Sequence, residues 1–315
     1  VSKIIRQLLP FVTLLLLVIA LSILSPERFL TADNFLNVLR RSSVNIIIAV
    51  GMTAIIISGG IDLSVGSMLA VAGMAGAWMM RKIAGDDLTL AAMIVGTVAG
   101  VAAGTICGLV NGLLVTQLNL QPFIVTLGTM SAFRGISYVM NDGQPYNVPN
   151  YTYLGDGVIA GIPVSVVIAA IIIAISIFVL RRTRLGRYTY AIGSNREAAF
   201  HAGVNVNLNL TLVYTLAGLL VGVAAMIATS RTISAQPTAG ISLELDIIAA
   251  VVIGGASLNG GRGTIIGTIV GTLLISFLRN GCTLLGISTN VQLIVIGVII
   301  IIAVAVDQAT RARAK

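Results

Sequence analysis

The chain alternates long apolar runs with short polar or charged interruptions. The runs lie at 8–24, 43–58, 63–80, 88–115, 122–140, 163–180, 208–229, 247–258, 264–278 and 291–306. An apolar stretch of about 20 residues crosses a bilayer as a helix, so the pattern predicts an all-α, polytopic transmembrane helix bundle of about ten spans. The first run follows Lys3 and Arg6 in the manner of a signal peptide. No small-x-small cleavage site precedes Ser25-Pro26-Glu27-Arg28, and the run reads as an uncleaved first span. An amphipathic piece at 31–41, with Thr31 or Asp33 as its N-cap, is expected to lie along the membrane surface before the second span.

Composition changes the picture only by removing alternatives. Hydrophobic residues make up 57% of the 315 and charged residues 10%, against roughly 45–50% and about 25% in soluble domains. So few charges cannot wet the surface of a soluble fold this size, and the apolar content excludes disorder. The whole of 1–315 therefore reads as a single transmembrane domain. Its net charge of +8 does not point to nucleic acid, because the basic residues sit at the ends of apolar runs and aromatics are scarce. They fit retention of cytoplasmic loops by positive charge. With both termini inside, the cytoplasm holds Lys3, Arg6, the arginines of 181–196, Arg262, Arg311, Arg313 and Lys315. The outside then holds Arg28, Arg40, Arg41, Arg81, Lys82, Arg231 and Arg279. Cys107 and Cys282 fall in or at the end of apolar runs and read as small packed hydrophobes rather than a disulfide.

Glycine punctuates the helices. Gly96, Gly100, Gly104, Gly108 and Gly112 place one small face along four turns, the pattern by which helices in lipid approach closely. A candidate internal repeat pairs ISGGIDLSVGSM (57–68) with IGGASLNGGRGT (253–264). Each interrupts an apolar run with glycines and polar residues, and Gly-interrupted segments in two halves of a membrane chain point to a transport path.

Enzymatic chemistry is almost absent from the sequence. His201 stands alone in a basic loop, no His/Cys cluster has metal-ligand spacing, and no lysine follows a glycine-rich turn as a phosphate-binding loop requires. No metal, cofactor or catalytic residue is expected. Two segments do carry function. In 59–67, Asp62 sits between two apolar runs and is either a cap for the next helix or a residue of the path. In the cytoplasmic loop 181–206, Asn195 could cap a short helix that Gly203 ends, with Phe200, Val204 and Ala199 forming an apolar face for a protein partner or the lipid surface; the alternative is a solvated loop that serves topology alone.

Glu197-Ala198-Ala199 followed by Gly203 resembles the EAA loop of ABC importer permeases. The surrounding TRLGRYTYAIGSNREAAFHAGVNV is similar to the ribose-type sugar permeases, as are SGGIDLSVGS (58–67), QPFIVTLGTMSAFRG (121–135), SAQPTAG (234–240), ELDIIAAVVIGGASLNGGRGTIIGT (244–268), NGCTLLGIS (280–288) and AVAVD (303–307). The resemblance covers roughly 25–307. It implies a bacterial inner-membrane permease without enzymatic activity, moving a small sugar, ribose first. A second permease copy or a homologue would complete the path, a periplasmic sugar-binding protein would dock outside, and a cytoplasmic ABC ATPase subunit would dock inside. Under it, Asn195, Glu197, Ala198, Ala199, Phe200 and Gly203 form the coupling helix. The family's pattern varies at Arg134 and at Asn141-Asp142-Gly143-Gln144 with the sugar carried.

A hydroxyl-rich cargo needs a wet, weakly charged route through the lipid. Asn45, Asp62, Ser64, Ser67, Asn111, Thr126, Thr129 and Arg134 are the candidates for it, with Ser58 and Ser131 as further polar positions. Several of these hydroxyls could equally back-bond to their own helices. Arg134 has no charged partner in sight. Gln236, Glu244 and Asp246 flank an outer loop and either line the mouth of the path, contact the binding protein, or are simply solvated. The alternative class is an ion-coupled secondary transporter, but such carriers string several charges through the membrane, whereas Asp62 and Arg134 stand nearly alone. A membrane scaffold that moves nothing is the third reading, tested by growth on candidate sugars.

Overall fold

The computed structural model describes residues 3–312. The chain opens with α1 (Lys3–Leu24), the turn α2 (Pro26–Phe29), α3 (Ala32–Ile57), α4 (Val65–Ala84), α5 (Leu90–Gln117) and α6 (Pro122–Val139). An irregular stretch carries β1 (Tyr146–Asn147), the turn α7 (Tyr153–Asp156) and the hairpin of β2 (Val158–Ile159) with β3 (Ile162–Pro163). Then come α8 (Val164–Arg182), α9 (Arg184–Ser194), α10 (Arg196–His201), α11 (Val206–Thr232), β4 (Ser234–Ala235), α12 (Leu243–Ile253), α13 (Ile265–Leu284) and α14 (Thr289–Ala312). Arg313 and Lys315, expected in a cytoplasmic tail, lie outside the described residues. Among the described helices α3, α5, α8, α11 and α13 are long and apolar enough to cross a membrane.

At the centre stands α3. Its Ile47, Ile48, Met52 and Ile56 pack with Met68 and Ala72 of α4, Val221 and Ala225 of α11, and Ile247 and Val251 of α12. The glycine run does what its spacing predicts. A Cβ at Gly104 would lie 2.7 Å from the Gly218 carbonyl oxygen and from Gly222 Cα, and one at Gly112 would lie 2.9 Å from Thr211 Cα. The backbones of α5 and α11 therefore touch directly, which is how helices associate where lipid offers no hydrophobic drive. Cys107 and Cys282 are free and buried, as expected of packed hydrophobes.

Three elements differ from the sequence reading. The amphipathic piece at 31–41 is not a separate surface helix but the opening turns of the 26-residue α3. Thr31 Oγ1 accepts from Asn34 N–H at 3.2 Å, and the Asn34 and Asn280 amides bond each other at 2.8 and 3.2 Å. Phe29, Phe35 and Phe277 stack beside them, which pulls the segment off a surface and onto α13. Second, the run at 247–258 is not helical to its end. The 11-residue α12 is only about 16 Å long and stops at Ile253, because Gly255 takes a φ of +91°. Third, the basic stretch after Arg182 folds into α9, which begins at Thr183, whose Oγ1 accepts from Gly186 N–H, and which buries Gly186, Thr189 and Ile192.

Candidate functional site at the coupling loop and the helix breaks

The predicted short helix exists as α10. Asn195 Oδ1 accepts from Ala198 N–H at 2.9 Å. At the other end Gly203, with φ of +82°, and Val204 donate back to the Phe200 and Ala199 carbonyls at 2.9 and 3.1 Å. This is a Schellman closure, which needs a left-handed residue and favours glycine. It also corrects the expected apolar face. The reversal at Gly203 folds Val204 back onto Ala199, and both join Ile192, Val206 and Leu210. Phe200 points away instead and is 66% exposed. Arg196 and Glu197 are both exposed.

The two glycine breaks meet each other and α9. After α3, Gly59 (φ +87°) and Gly60 donate to Ile56 and Ile55 carbonyls; after α12, Gly255 and Ala256 donate to Val252 and Val251 carbonyls. The two sequence-matched segments thus end their helices by the same closure, in register. Gly261 N–H then donates to the Ile57 carbonyl at 2.8 Å, joining the breaks. Gly193, near the end of α9, fills the remaining corner: a Cβ there would run into the Ile57 carbonyl and lie 2.6 Å from Gly261 N. Tyr190 Oη donates to the Gly263 carbonyl at 2.8 Å. A cleft of about 280 Å³ opens at this junction, lined by Gly59, Gly60, Gly193, Asn195, Arg196 and Tyr214 among others.

Of the residues expected to face a path, one group converges. Asp62 Oδ1 accepts from Ser64 N–H (2.8 Å) and Ser64 Oγ (2.6 Å), and Asn111 Nδ2 donates to Ser64 Oγ at 2.8 Å and to Asp62 Oδ2 at 3.3 Å. Asp62 is 1% exposed and Asn111 fully buried. The carboxylate closes an Asx-turn at the start of α4 and ties that turn to α5. No arginine or lysine among the described residues pairs with it. Ser67 is buried and donates to the Ser64 carbonyl. Thr126 joins from α6, its hydroxyl bonding the Ile61 and Pro122 carbonyls, and Thr129 donates to the Thr126 carbonyl. Asn45 is half-buried on α3 and stands outside this cluster.

Arg134 finds the partner its sequence context hides. Its Nη1 donates to the Pro237 and Ala239 carbonyls at 2.6 and 2.8 Å, and Ser137 Oγ donates to Pro237 at 3.0 Å. These bonds clasp the non-helical segment between β4 and α12 to α6. The segment in turn lies on the first turn of α4: a Cβ at Gly240 would be 2.6 Å from the Gly66 carbonyl oxygen. Of the residues expected at the mouth, Gln236 is exposed and Glu244 half-buried. Asp246 is different. It is 8% exposed and held by Arg279 Nη2 at 2.7 Å, so it fastens α12 to α13 rather than facing a partner. Sequence reasoning missed Gly193, Tyr190, Tyr214, Ser137 and Arg279. Tyr190, Gly193, Ser137 and Arg279 all act on partners far away in sequence, which no local pattern signals.

The family described as "Branched-chain amino acid transport system / permease component" matches residues 34–304. The ribose import permease protein RbsC of Bacillus subtilis (strain 168) is 48% identical over 96% of this chain and 93% of its own length. RbsC of Escherichia coli (strain K12) is 44% identical over 94% and 92%, and the D-allose transport system permease protein AlsC of the same organism 40% over 95% and 90%. No solved structure matches the chain. Such permeases are transport components that work with an ATPase and a binding protein. The chain belongs to this permease family, among the ribose-type ABC sugar importer permeases, and is a multi-pass inner-membrane transport subunit rather than an enzyme.

Proposed function

We propose that this permease carries ribose into the cell, driven by an ATPase that grips α10. The cargo follows from near-full-length similarity to ribose import permeases, with 48% identity in one of them. In this reading the chain is one domain over 1–315, with 181–206 as its coupling loop. About ten spans place both termini in the cytoplasm, and two copies form the path. The observation that carries the mechanism is the junction at Gly193. There α9 meets both helix breaks, so a push on α10, joined to α9 through Asn195, reaches the ends of α3 and α12 and the starts of α4 and α13. Asn195, Glu197, Ala198, Ala199, Phe200 and Gly203 are the coupling residues, with the exposed Phe200 as the side chain that enters the ATPase.

The polar groups around the first break would serve the path in a different arrangement from the one seen. Ser64, Ser67, Asn111 and Thr126 are buried and bonded to one another or to backbone, so they face cargo only when α6 moves relative to α4. Thr129 and Arg134 share α6 and move with it. Gln236, exposed in the segment after β4, is the contact for the binding protein, while Glu244 lies deeper, beside Gly66 in the first turn of α4. The test is uptake of labelled ribose, with unlabelled allose as competitor, in cells lacking their own ribose permease but retaining its ATPase and binding protein. Restored ribose uptake supports the assignment. Growth and uptake unchanged by the permease would remove it.

A further inference from the structure

The end of the bundle opposite α10 carries a cluster of positive charge with too few partners. Arg40 and Arg41 on α3 and Arg231 on α11 lie within electrostatic reach of one another, with Asp156 of α7 the acidic group among them and Arg41 exposed beside the other two. Arg40 Nη1 lies 3.7 Å from Asp156 Oδ1, a loose pairing. No hydrogen bond within the described residues reaches any of the three guanidinium groups, and Arg40 Nε and Arg231 Nη1 are buried atoms without a partner. Each guanidinium has five N–H donors, and a buried donor left unmade is costly. Three cations beside one carboxylate leave an excess of positive charge as well. The cluster is short of an anion with several acceptor oxygens.

What surrounds it identifies the kind of anion. Gly155 packs against the Arg231 backbone, and its N–H donates to Ser230 Oγ at 3.0 Å, which seats α7 on the end of α11. The chain then leaves α7 directly into the β2–β3 hairpin, where Val158, Ile159 and Ile162 are all about half exposed. The hairpin leads into α8, whose exposed side continues as Ile171, Ile175 and Phe178. Exposed apolar side chains thus occur on the hairpin beside the charged cluster and again on the outside of α8, a helix long enough to span the membrane. A soluble anion would meet only the arginines, and an acidic protein surface would leave the exposed apolar side chains of the hairpin and α8 without a match. An anionic phospholipid satisfies both. Its phosphodiester oxygens accept from arginine forks while its acyl chains lie along the hairpin and α8.

We propose that Arg40, Arg41 and Arg231 form a binding site for the phosphodiester headgroup of an anionic phospholipid, in the leaflet at the end opposite the coupling helix. The arginines hold the phosphate, Asp156 tempers the site, and the β2–β3 hairpin accepts the acyl region. The site is independent of which cargo moves and of which partners dock.

Native mass spectrometry of the full chain in detergent, titrated with dioleoylphosphatidylglycerol or dioleoylphosphatidylcholine, tests it. Phosphatidylglycerol adducts are expected at lower concentration than phosphatidylcholine. Arg40→Gln and Arg231→Gln should each cut that preference about fivefold, the scale of one juxtamembrane cation. Asp156→Asn removes the competing carboxylate and should tighten binding, which guards against reading a folding defect as lost affinity. Millimolar inorganic phosphate should leave the lipid adducts in place. Equal binding of the two lipids, a preference untouched by all three substitutions, or displacement by inorganic phosphate alone would each overturn the proposal.

Discussion

Arg134 and Asp62 are single ionisable residues, one set into the apolar helix α6 and one in the break before α4, and their geometries assign them different work. Arg134 donates to two backbone carbonyls of a segment that no helix can satisfy. Hydrogen bonds from a charged donor contribute about 1.5–3 kcal/mol, so Arg134→Gln should lower stability in detergent by roughly 2 kcal/mol, with Arg134→Lys recovering part because it supplies one point charge instead of a fork. Thermal unfolding monitored at the single tryptophan, Trp78, measures both; a Gln variant as stable as the parent would contradict the clasp. Asp62 instead builds a turn. Asp62→Asn keeps an oxygen for the Ser64 amide and should retain transport, while Asp62→Ala strands that amide and costs about 1–3 kcal/mol. Normal folding with lost transport in the Asn variant would put the carboxylate on the path instead. At this scale the sequence was readable where chemistry is local. Asn195 as a cap and Gly203 as a left-handed stop need only their neighbours. Arg279 was not readable, since its partner Asp246 lies across the fold.

Helices and breaks show the same division. The small face of α5 was legible because a four-residue period has one geometric meaning, and it predicts a steep penalty for bulk. Gly108→Val would drive a branched side chain into the α11 backbone at Gly218, and overpacking of this kind costs typically about 1–3 kcal/mol; reduced membrane accumulation of the variant checks it, and normal yield and stability would sink the close approach. The matched glycine breaks were legible as a repeat of sequence, and their common closure is a repeat of structure as well. What periodicity could not reveal was α9. Its arginines read as a topological signal, while of the residues it buries Gly186 and Thr189 are small or polar, and Ile192 alone makes no apolar stripe. The extent of α12 was hidden for a related reason: Ala256 and Leu258 continue the apolar run after Gly255 has already turned the chain. Gly193→Val tests the junction these elements make. It should leave the chain in the membrane yet abolish ATP-driven uptake, and full uptake would remove α9 as the transmitting element.

At the scale of the molecule the account is a passive bundle worked from one end. The short helix α10, the ends of α3 and α12 and the cleft beside Tyr214 gather at that end. The β1–β4 pair and the arginine cluster gather at the other, and the clasped segment runs inward from β4 to the first turn of α4. The fold class and the transport role could be read from composition and motifs, because both depend on long stretches of sequence. Which polar residues touch cargo could not, because that depends on how α6 moves against α4. The topology is testable directly: a tag after Lys315 should resist protease added from the periplasmic side, and cleavage there would invert the bundle. The most direct test of the central claim is transport by proteoliposomes holding the permease with its ATPase and supplied with ribose-loaded binding protein. ATP should drive accumulation of labelled ribose, and both omission of the ATPase and Gly193→Val should stop it. Accumulation by the permease alone under an imposed proton or sodium gradient would contradict the account.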